Sequence, residues 1–399
     1  MKALPGKILI IVENLPVPFD RRVWMESTTL AAAGYHVSVI CPTGKGYEKT
    51  YEVIDGIHIY RHPLPVEMNS AFGYLREYAS ALWHEWRLAE KVLREQGFDV
   101  IHACNPPDLI FLIGVWFKVF HHKKFIFDHH DLNPELYESK FLRRDAFYHI
   151  QRFLEACTFA AADAVISTNE SYKEVALVRG HKKESCVTVV RSGPRLDRFN
   201  PVASDDTLKR GRKYLVGYLG VMGPQDGVDH LVTAAHELIV NKKRNDIQFC
   251  FVGSGPMIEE LKKMAVDLRI NDFVEFTGRV PDEEMILRIS TCDVCVCCDP
   301  LNPLNDKSTM NKILEYMALK RPIVQYDLVE GRRSALKASL YAEPNNIKYL
   351  ADKIELLLAD PETCREMGEY GRKRMEDELE WKHQVPKLLS VYEKVLTPK

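Results

Sequence analysis

Long apolar runs and an excess of charge of one sign are both missing from this sequence of 399 residues. The longest uninterrupted apolar run, from Leu109 to Phe117, is far shorter than the ~20 residues that a membrane-spanning helix needs. The chain carries 54 lysine and arginine residues against 56 aspartate and glutamate residues, for a formal net charge of -2. We therefore expect no membrane-spanning helix and no nucleic-acid partner.

The sequence also lacks the patterns of a disulfide framework or a metal site. Its 10 cysteines are spread through a long chain that opens without a secretory signal, so we expect reduced thiols and a cytoplasmic protein. The densest group, Cys292 to Cys298, contains one C-x-x-C pair that would suit zinc. Its strand-like alternation sends neighbouring thiols to opposite faces, which favours buried free cysteines. There is no D-x-D triplet, and we expect no metal.

Short β-rich segments alternate with longer helical patterns along the whole chain. Apolar strands separated by helices predict parallel sheets covered on both faces, in an α/β fold. At this length two domains are expected. The predicted strands are 7–13, 36–42, 57–63, 99–105, 124–131, 163–168 and 186–193 in the first half, and 214–220, 247–253, 273–278, 293–298, 322–327 and 339–344 in the second.

The polar stretch 194–212 has no apolar period and predicts the link between the domains. We assign an N-terminal domain to 1–195, a second domain to 196–380, and a C-terminal helix to 381–399 that packs back onto the first domain. In doubly wound sheets, ligands bind at the carboxyl ends of the strands, where the strand order reverses. We expect two Rossmann-like domains facing each other across a cleft, with functional residues on the loops after the strands.

The segment STMNKILEYMALKRPIV, residues 308–324, places two charges in an otherwise apolar helical pattern. Ser308 or Thr309 can cap the helix, and Lys312 and Glu315 then lie side by side. A helix start with a lysine suits a diphosphate, and an acid one turn further along suits the vicinal hydroxyls of a ribose. On spacing alone, a surface ion pair between the two side chains is favoured.

The letters MNKILEYMALKRPIV resemble the nucleotide-binding segment of retaining GT-B glycosyltransferases in the large bacterial family-four group, which includes mannosyl- and N-acetylhexosaminyltransferases. The resemblance extends over essentially the whole chain. It implies that Glu315 is the second glutamate of an E-x7-E element and holds the donor ribose, while Lys312 contacts the diphosphate as a catalytic residue. Ser308, Met310 and Asn311 are further candidate donor-binding residues.

Two positions in this segment depart from the pattern of the family. Lys307 stands where the first glutamate of the element is expected, so no acid is assigned to the donor sugar ring. Lys320 stands where the family has a glycine in a left-handed helix cap. If the cap is kept, a lysine there costs about 1 kcal/mol.

The stretch YLGVMGPQDGVDHL resembles the phosphate-binding loop of the same family. Gly220 and Gly223 permit close approach of the backbone to phosphate. The basic pair that the family carries here is replaced by Gln225 and Asp226. We therefore expect the positive charge to come from other side chains, with Lys312 ranked first.

Another glycine turn and two arginines complete the candidate donor site. The turn from Gly253 to Gly255 lacks the third glycine of a dinucleotide fingerprint, but the resemblance implies that it lines the nucleotide pocket. Arg279 and Arg333 are candidate sources of positive charge. For both arginines, a solvated surface position is an open alternative.

The stretch FIFDHHDLNPE ends a predicted strand with clustered polar side chains. By the resemblance, His130 lies beside the anomeric centre of the donor sugar and Asp131 is its acidic neighbour, so both are catalytic candidates. His102 and Asn105, which end the neighbouring strand, are candidate acceptor-side residues. The segment 20–22, Asp-Arg-Arg, either contacts donor phosphate or is a helix cap followed by two exposed arginines.

The stretch FLRRDAFYHIQRFLEACTFA predicts one amphipathic helix with arginines beside phenylalanines. Such a face suits a membrane surface and a lipid-linked acceptor, although burial of the aromatic rings in the core is favoured. The residues are Arg143, Arg144 and Arg152 with Phe141, Phe147 and Phe153.

The predicted function is transfer of a hexose or N-acetylhexosamine from a UDP-sugar or GDP-sugar to a saccharide or lipid-linked acceptor. Retention of configuration, the absence of a cofactor, a role in surface polysaccharide synthesis and peripheral contact with the inner face of the membrane follow from the resemblance. Three alternatives stay open: a sugar-nucleotide 2-epimerase of the same fold, an inactive partner subunit, and a nicotinamide oxidoreductase, which the incomplete glycine pattern disfavours.

Overall fold

A computed structural model describes residues 6–63 and 71–397, except for the side chains of 71–79. The chain divides into two units, residues 1–191 with 384–399, and residues 192–383. Each unit contains one sheet with helices, so the predicted α/β fold with two Rossmann-like domains is confirmed. Within the described ranges, none of the helices combines the length and apolar character of a membrane span.

The first unit contains one eight-stranded sheet formed by β1 Lys7–Ile11, β2 His36–Pro42, β3 Tyr51–Ile54, β4 Ile57–His62, β5 Val100–Cys104, β6 Lys124–His129, β7 Ala164–Ser167 and β8 Val187–Val189. The strand order is β3-β4-β2-β1-β5-β6-β7-β8, and it reverses between β1 and β5. The helices are α1 Arg21–Ala32, α2 Ala71–Glu95, α3 Phe111–His121, α4 Asn133–Phe141, α5 Ala146–Ala161 and α6 Glu170–Val178.

One strand of this sheet, β3, was not predicted, and it is the one antiparallel member among the described strands. It pairs with β4 through a tight turn at Asp55 and Gly56, whose φ angles are 50° and 77°. Positive φ at both central residues is the geometry of a type I′ hairpin, and Asp-Gly is a preferred sequence for it. The Asp-Gly pair in EVIDGIHIY therefore indicates a hairpin, which the prediction of parallel strands did not include.

The second unit contains a six-stranded parallel sheet formed by β9 Tyr214–Leu219, β10 Ile247–Val252, β11 Val274–Gly278, β12 Val294–Cys297, β13 Ile323–Tyr326 and β14 Ser339–Ala342. The order is β11-β10-β9-β12-β13-β14, so it reverses between β9 and β12. The helices are α7 Val228–His236, α8 Ile258–Asp267, α9 Asp282–Thr291, α10 Asn311–Ala318, α11 Val329–Ala335, α12 Ile347–Leu358, α13 Pro361–Arg374 and the start of α14 Trp381–Leu396, with π-helical turns at Glu237–Asn241 and Met375–Leu379.

Away from the sheet edges, the strands are largely buried on both faces, as parallel strands covered by helices must be. In β1, Ile8 to Ile11 are at most 1% exposed, and in β10 every residue is at most 2% exposed. The cysteines at the end of β12 belong to this core as free thiols, in agreement with the sequence prediction. The sheets are therefore rigid supports for the loops that leave their carboxyl ends.

The predicted amphipathic helix between Phe141 and Phe153 is two helices. α4 ends at Phe141, and Asp145 starts α5 by accepting hydrogen bonds from the backbone N–H groups of Phe147 and Tyr148. The interpretation of the phenylalanines as core is also wrong, since Phe141, Phe147 and Phe153 are 54%, 46% and 66% exposed.

The end of α10 is a left-handed cap occupied by lysine. The Lys320 N–H donates to the Met317 carbonyl at 3.1 Å, and the Arg321 N–H donates to the Tyr316 carbonyl at 2.9 Å, which is the Schellman pattern. Lys320 has a φ of 57°, in the region that favours glycine. The cap is kept although its residue is strained.

Replacing Lys320 with glycine should raise the free energy of unfolding by about 1 kcal/mol, because glycine adopts this conformation without a Cβ clash. Urea denaturation measures the change. The matched control is Lys320→Ala, which loses the ion pair of Lys320 with Glu369 but keeps the Cβ atom. Equal stabilisation by both substitutions would show that backbone strain is not the cause.

Candidate functional site

The two predicted glycine turns lie side by side in the second unit, because they follow the paired strands β9 and β10. Gly220 has a φ of 149° and Gly253 a φ of 131°. The Met222 N–H donates to the Ser254 carbonyl at 3.2 Å, and a methyl group on Gly255 would lie 2.5 Å from the Met222 carbonyl oxygen. The two backbones therefore touch at the carboxyl edge of the sheet, and side chains at these glycines would separate them.

Lys312 lies against the first of these turns, where the strand order reverses. Its side chain is 8% exposed, and its Nζ lies 2.8 and 3.1 Å from the two carboxylate oxygens of Asp299. The Nζ also lies 4.9 Å from the centre of the Tyr218 ring. A methyl group on Gly220 would lie 3.2 Å from Lys312 Cε, so the glycine gives the lysine stem its room.

This buried lysine is charged. Burial alone would lower the pKa of Lys312, but the Asp299 carboxylate outweighs burial and holds that pKa well above its usual range. Asp226 lies 4.0 Å from the same Nζ, and burial raises the pKa of its carboxyl group. The predicted alternative of a surface ion pair between Lys312 and Glu315 is therefore wrong, because the cation is buried and pairs with Asp299.

The first turn of α10 starts later than predicted, at Asn311. The Ser308 hydroxyl donates backwards to the Leu304 carbonyl at 2.9 Å, and Met310 occupies the N-cap position without a side-chain hydrogen bond. Asn311 is exposed and Glu315, one turn along, is half-buried. The serine cap is thus wrong, and the N–H groups of this turn are not capped by the side chain at the N-cap position.

Charged residues around the position of the missing first glutamate contact α11. Asp306 accepts a hydrogen bond from the Val329 N–H at 2.9 Å and so stabilises the start of that helix. Arg333 donates to the buried Glu330 at 2.7 Å. Arg279 is exposed directly after β11. Of the candidate cations, Lys312 lies against the Gly220 turn.

In the first unit, Arg22 is buried against the polar cluster at the end of β6. Its Nη2 donates to Asp128 Oδ1 at 2.9 Å and its Nε donates to Asp128 Oδ2 at 3.2 Å, while Nη1 donates to the Val190 carbonyl at 2.9 Å. Asp20 caps α1 by accepting from the Val23 N–H at 3.0 Å. The prediction that Asp20 caps a helix is confirmed. The same alternative also predicted that Arg22 is exposed, and this part is wrong because Arg22 is buried.

The same Asp128 orients two histidines. His130 Nε2 lies 2.5 Å from Asp128 Oδ2, and His102 Nε2 lies 3.2 Å from that oxygen. Burial lowers the pKa of His102, and with its proton on Nε2 the neutral ring accepts a hydrogen bond from the Tyr392 hydroxyl, 2.5 Å from Nδ1. Burial would raise the pKa of Asp128, but Arg22 and His130 outweigh it and hold that pKa well below its usual range.

Asn105 fixes the backbone after β6. Its Oδ1 accepts from the N–H groups of His130 and Asp131 at 2.8 and 3.1 Å, and its Nδ2 donates to Asp108 at 3.1 Å. Burial raises the pKa of Asp131. Asn105 therefore positions both predicted catalytic residues of this unit, while His102 acts from behind them through Asp128.

Two groups of side chains bring possible metal ligands within 4.8 Å of one another: Glu26, Asp128 and His130, and His102, Cys104 and Asp128. The guanidinium of Arg22 lies among them, 2.9 Å from Asp128 and 3.0 Å from Glu26. A metal ion there would be repelled by the arginine at short range. We therefore assign Arg22, and no metal, as the cation of this cluster.

Sequence reasoning missed several members of both clusters. Asp299 directly follows β12, at the strand end where ligands bind in such sheets, but it stands beside a group of cysteines that is the more prominent pattern. Glu26 lies four residues after Arg22 on the same helix face, which is a local signal. Tyr218 and Tyr392 are apolar members of a strand and a helix by pattern, so no local signal identifies them.

Two family models match the chain. Residues 20–198 match the model described as Glycosyltransferase Family 4, and residues 200–374 match the model described as Glycosyl transferases group 1. The first match covers most of the first unit, and the second covers most of the second unit.

Curated relatives match parts of the chain. An alpha-D-kanosaminyltransferase of Streptomyces kanamyceticus is 30% identical over 39% of this chain and 39% of the relative. A GDP-mannose-dependent alpha-(1-6)-phosphatidylinositol monomannoside mannosyltransferase of Mycobacterium tuberculosis is 27% identical over 47% of this chain and 51% of the relative. The chain thus spans about half or less of these two relatives.

A solved structure matches the whole chain. The sucrose-phosphate synthase of Thermosynechococcus elongatus superposes with a TM-score of 0.82 at 20% identity, covering 98% of both chains. At this identity the likeness establishes the fold, which is that of the GT-B glycosyltransferases.

Replacing Lys312 with methionine should lower the free energy of unfolding by roughly 3 kcal/mol, because the Asp299 carboxylate is then buried without its cation. The double variant Lys312→Met, Asp299→Leu should recover most of the loss, since it removes both charges. Urea denaturation measures both variants. A single variant as stable as the double would contradict a buried ion pair.

Asp108 should contribute a loss of stability as the pH rises from about 4 to about 7. Burial and the nearby Glu155 raise the pKa of Asp108 from 3.8 to about 7, so the folded chain keeps a proton that the unfolded chain releases in this window. At most ~4 kcal/mol is lost through this carboxyl group.

The variant Asp108→Asn cannot titrate, so its stability relative to the wild type should rise across the same pH window. Urea denaturation at several pH values measures the difference. The exposed Asp206→Asn is the matched control and should follow the wild type. If Asp108→Asn keeps the full wild-type pH dependence, the raised pKa of Asp108 is wrong.

Proposed function

Since the chain belongs to the GT-B glycosyltransferases of the family-four type, we propose that it transfers a hexose or N-acetylhexosamine from a nucleoside diphosphate sugar to a saccharide or lipid-linked acceptor, with retention. One observation carries the proposal: the buried, charged Lys312 lies against the glycine turn that follows β9, where the strand order reverses. A cation, tight glycine turns and a helix start converge there, and together they suit a diphosphate.

The diphosphate is held by backbone and lysine together. N–H groups of the first turn of α10 and of the loop after Gly220 donate hydrogen bonds to phosphate oxygens, and Lys312 supplies the positive charge. An arriving diphosphate replaces Asp299 as the partner of the ammonium group. Burial raises the pKa of Asp226, the second carboxyl group beside this ammonium group.

The nucleoside of the donor is assigned to the same edge of the second unit, and the hexose is assigned to the first unit by the family resemblance. Glu315, half-buried one turn into α10, accepts hydrogen bonds from the ribose hydroxyls, and the Gly253–Gly255 turn borders the base. His130 positions the hexose, and Asp128 fixes its ring through the 2.5 Å contact at Nε2.

Transfer breaks the bond between the anomeric carbon and the diphosphate oxygen. The acceptor hydroxyl oxygen bonds to that carbon on the face from which the diphosphate departs, and its proton passes to the departing phosphate oxygen. Negative charge grows on the diphosphate during this step, so a fixed cation and helix N–H groups stabilise the transition state more than the ground state. Every bond and proton in this step is accounted for by the donor and the acceptor, so the proposed reaction uses no cofactor.

The donor and acceptor classes have support from the relatives. The mycobacterial relative is described as dependent on GDP-mannose and acts on a phosphatidylinositol monomannoside, which is a glycolipid. GDP-mannose, UDP-glucose and UDP-N-acetylglucosamine are therefore the donors to compare first. A role in surface polysaccharide synthesis, on the cytoplasmic side of the membrane, is part of the proposal.

A nucleoside diphosphate at a hundred times its dissociation constant should stabilise the protein by about 2.7 kcal/mol. Glu315→Ala should abolish this thermal shift for UDP and GDP, because the ribose loses its acceptor, while the melting curve without ligand stays nearly unchanged. The matched control is Glu259→Ala, an exposed acid in the first turn of α8, which should keep the full shift. A full shift in Glu315→Ala would contradict the assignment of the ribose site.

Activity assays distinguish a glycosyltransferase from the three alternative functions. Free nucleotide released only in the presence of an acceptor, with the product anomer matching that of the donor by NMR, is the expected result. Interconversion of the donor sugar without an acceptor would identify an epimerase. Nucleotide binding without turnover on any acceptor would identify a partner subunit, and spectral changes with a nicotinamide cofactor would identify an oxidoreductase.

A further inference from the structure

Asp108 is a buried acid that has no part in the proposed donor site. It begins the 3₁₀ turn Asp108–Ile110, which follows β5, and it is 5% exposed. One carboxylate oxygen accepts a hydrogen bond from Asn105 Nδ2 at 3.1 Å, and the other accepts from Asn133 Nδ2 at 2.7 Å. The backbone carbonyl of Asp108 accepts from the Thr158 hydroxyl at 2.6 Å. The carboxyl group is therefore held between the residue that ends β5 and the residue that begins α4.

The Asn105 amide connects Asp108 to the loop that follows β6. Its Oδ1 accepts from the backbone N–H groups of His130 and Asp131, and its Nδ2 donates to the Asp131 carbonyl at 2.7 Å as well as to Asp108. All four hydrogen-bonding positions of the amide are thus occupied. A rotated amide would turn its own N–H groups against two backbone N–H groups. The orientation of this side chain, and with it the position of the loop, depends on the acceptors that face Nδ2.

The hydrogen bonds to Asp108 depend on its charge. An ionised carboxylate accepts both amide N–H groups with charge assistance, whereas protonation converts one oxygen into a hydroxyl group and weakens one of the two bonds. Burial and the nearby Glu155 raise the pKa of Asp108 to about 7, although the hydrogen bonds from Asn133 and Asn105 oppose this rise. Both forms of the carboxyl group are therefore populated near neutral pH.

The charged groups that face Asp108 come from β6, α5 and the end of α6. Burial would raise the pKa of Glu155, but His129 and Arg179 outweigh burial and lower that pKa. His129 Nε2 lies 3.7 Å from Glu155 Oε1, and Arg179 donates to the same oxygen at 2.6 Å. Arg179 also donates to Glu135 at 2.7 Å. Glu155 therefore stays ionised where Asp108 titrates, and it opposes the ionisation of Asp108 throughout.

We propose that Asp108 is a positioning residue, and that ionisation of its carboxyl group fixes the two candidate catalytic residues of the loop, His130 and Asp131, through the Asn105 amide. The role rests on the proposed glycosyl transfer, because it acts on residues assigned to that reaction. The rate of transfer should rise as the pH increases through about 7, since ionisation strengthens the hydrogen bonds that hold the loop. Folding stability changes in the opposite direction, because the folded chain holds this proton more tightly than the unfolded chain.

NMR spectroscopy tests the ionisation without any turnover. In protein labelled with ¹⁵N on the asparagine side chains, the amide resonance of Asn105 should shift with an inflection near pH 7. The inflection should disappear in Asp108→Asn, which cannot ionise. It should move to higher pH in Asn133→Ala, because the hydrogen bond from Asn133 lowers the pKa of Asp108. An inflection that is absent from the wild type, or that persists in Asp108→Asn, would overturn the proposal.

Transfer kinetics test the consequence for the reaction. Above the titration of Asp108, the variant Asp108→Asn should lose at least about tenfold in kcat, because misplaced catalytic groups slow the chemical step. The KM for the donor should change little, since the nucleoside is assigned to the second unit. The rise of kcat with pH that the wild type shows should be missing from the variant.

The matched control is Asp99→Asn, which changes an exposed acid just before β5, at the opposite end of the strand that Asp108 follows. It should match the wild type at every pH. Circular dichroism confirms that each variant is folded. If Asp108→Asn keeps the kcat and the pH profile of the wild type, the proposal is overturned. A wild type that shows the NMR inflection but transfers no sugar would instead contradict the proposed function.

Discussion

The candidate donor site depends on one buried ion pair, Lys312 with Asp299. Such a pair contributes little net stability, because desolvation of two charges offsets most of their attraction. The ion pair is therefore better explained by its location than by stability. It lies beside the Gly220 turn where the strand order reverses, which is where ligands bind in such sheets. A lysine held ready by a replaceable carboxylate can give its charge to a ligand without first leaving water. Gly220 has no Cβ atom and so leaves room for the side chain of Lys312. The position of the lysine therefore depends on the glycine turn.

The first unit also contains a buried ion pair, formed by Arg22 and Asp128. Arg22 there satisfies the buried Asp128, and the same carboxylate orients His130 from one side and His102 from the other. The hydroxyl of Tyr392, from α14, donates a hydrogen bond to Nδ1 of His102. The ring of His130 is thus fixed by its near neighbour Asp128, whereas its backbone is fixed by Asn105, which is distant in the sequence. A histidine held in this way presents one defined ring nitrogen and cannot rotate freely toward a ligand.

Hydrophobic periodicity and glycine positions predicted the strands of both sheets except β3, and the glycine turns, since these features are local. The hairpin of β3 was missed although Asp55–Gly56 announced it, because parallel pairing was assumed throughout. The start of α10 was predicted near Ser308 or Thr309, but the helix starts at Asn311. The Ser308 hydroxyl instead donates to the Leu304 carbonyl, a local hydrogen bond that the sequence pattern does not reveal. Asp299 and Tyr392 act through partners that only folding brings together, so spacing could not assign their contacts.

The central claim is that Lys312 exchanges Asp299 for a diphosphate. A crystal structure of the protein with UDP or GDP tests it most directly. The account predicts a phosphate oxygen within hydrogen-bond distance of Lys312 Nζ, with further oxygens on N–H groups of the Gly220 loop and of the first turn of α10. A nucleotide bound elsewhere, with Lys312 still paired to Asp299 alone, would contradict it.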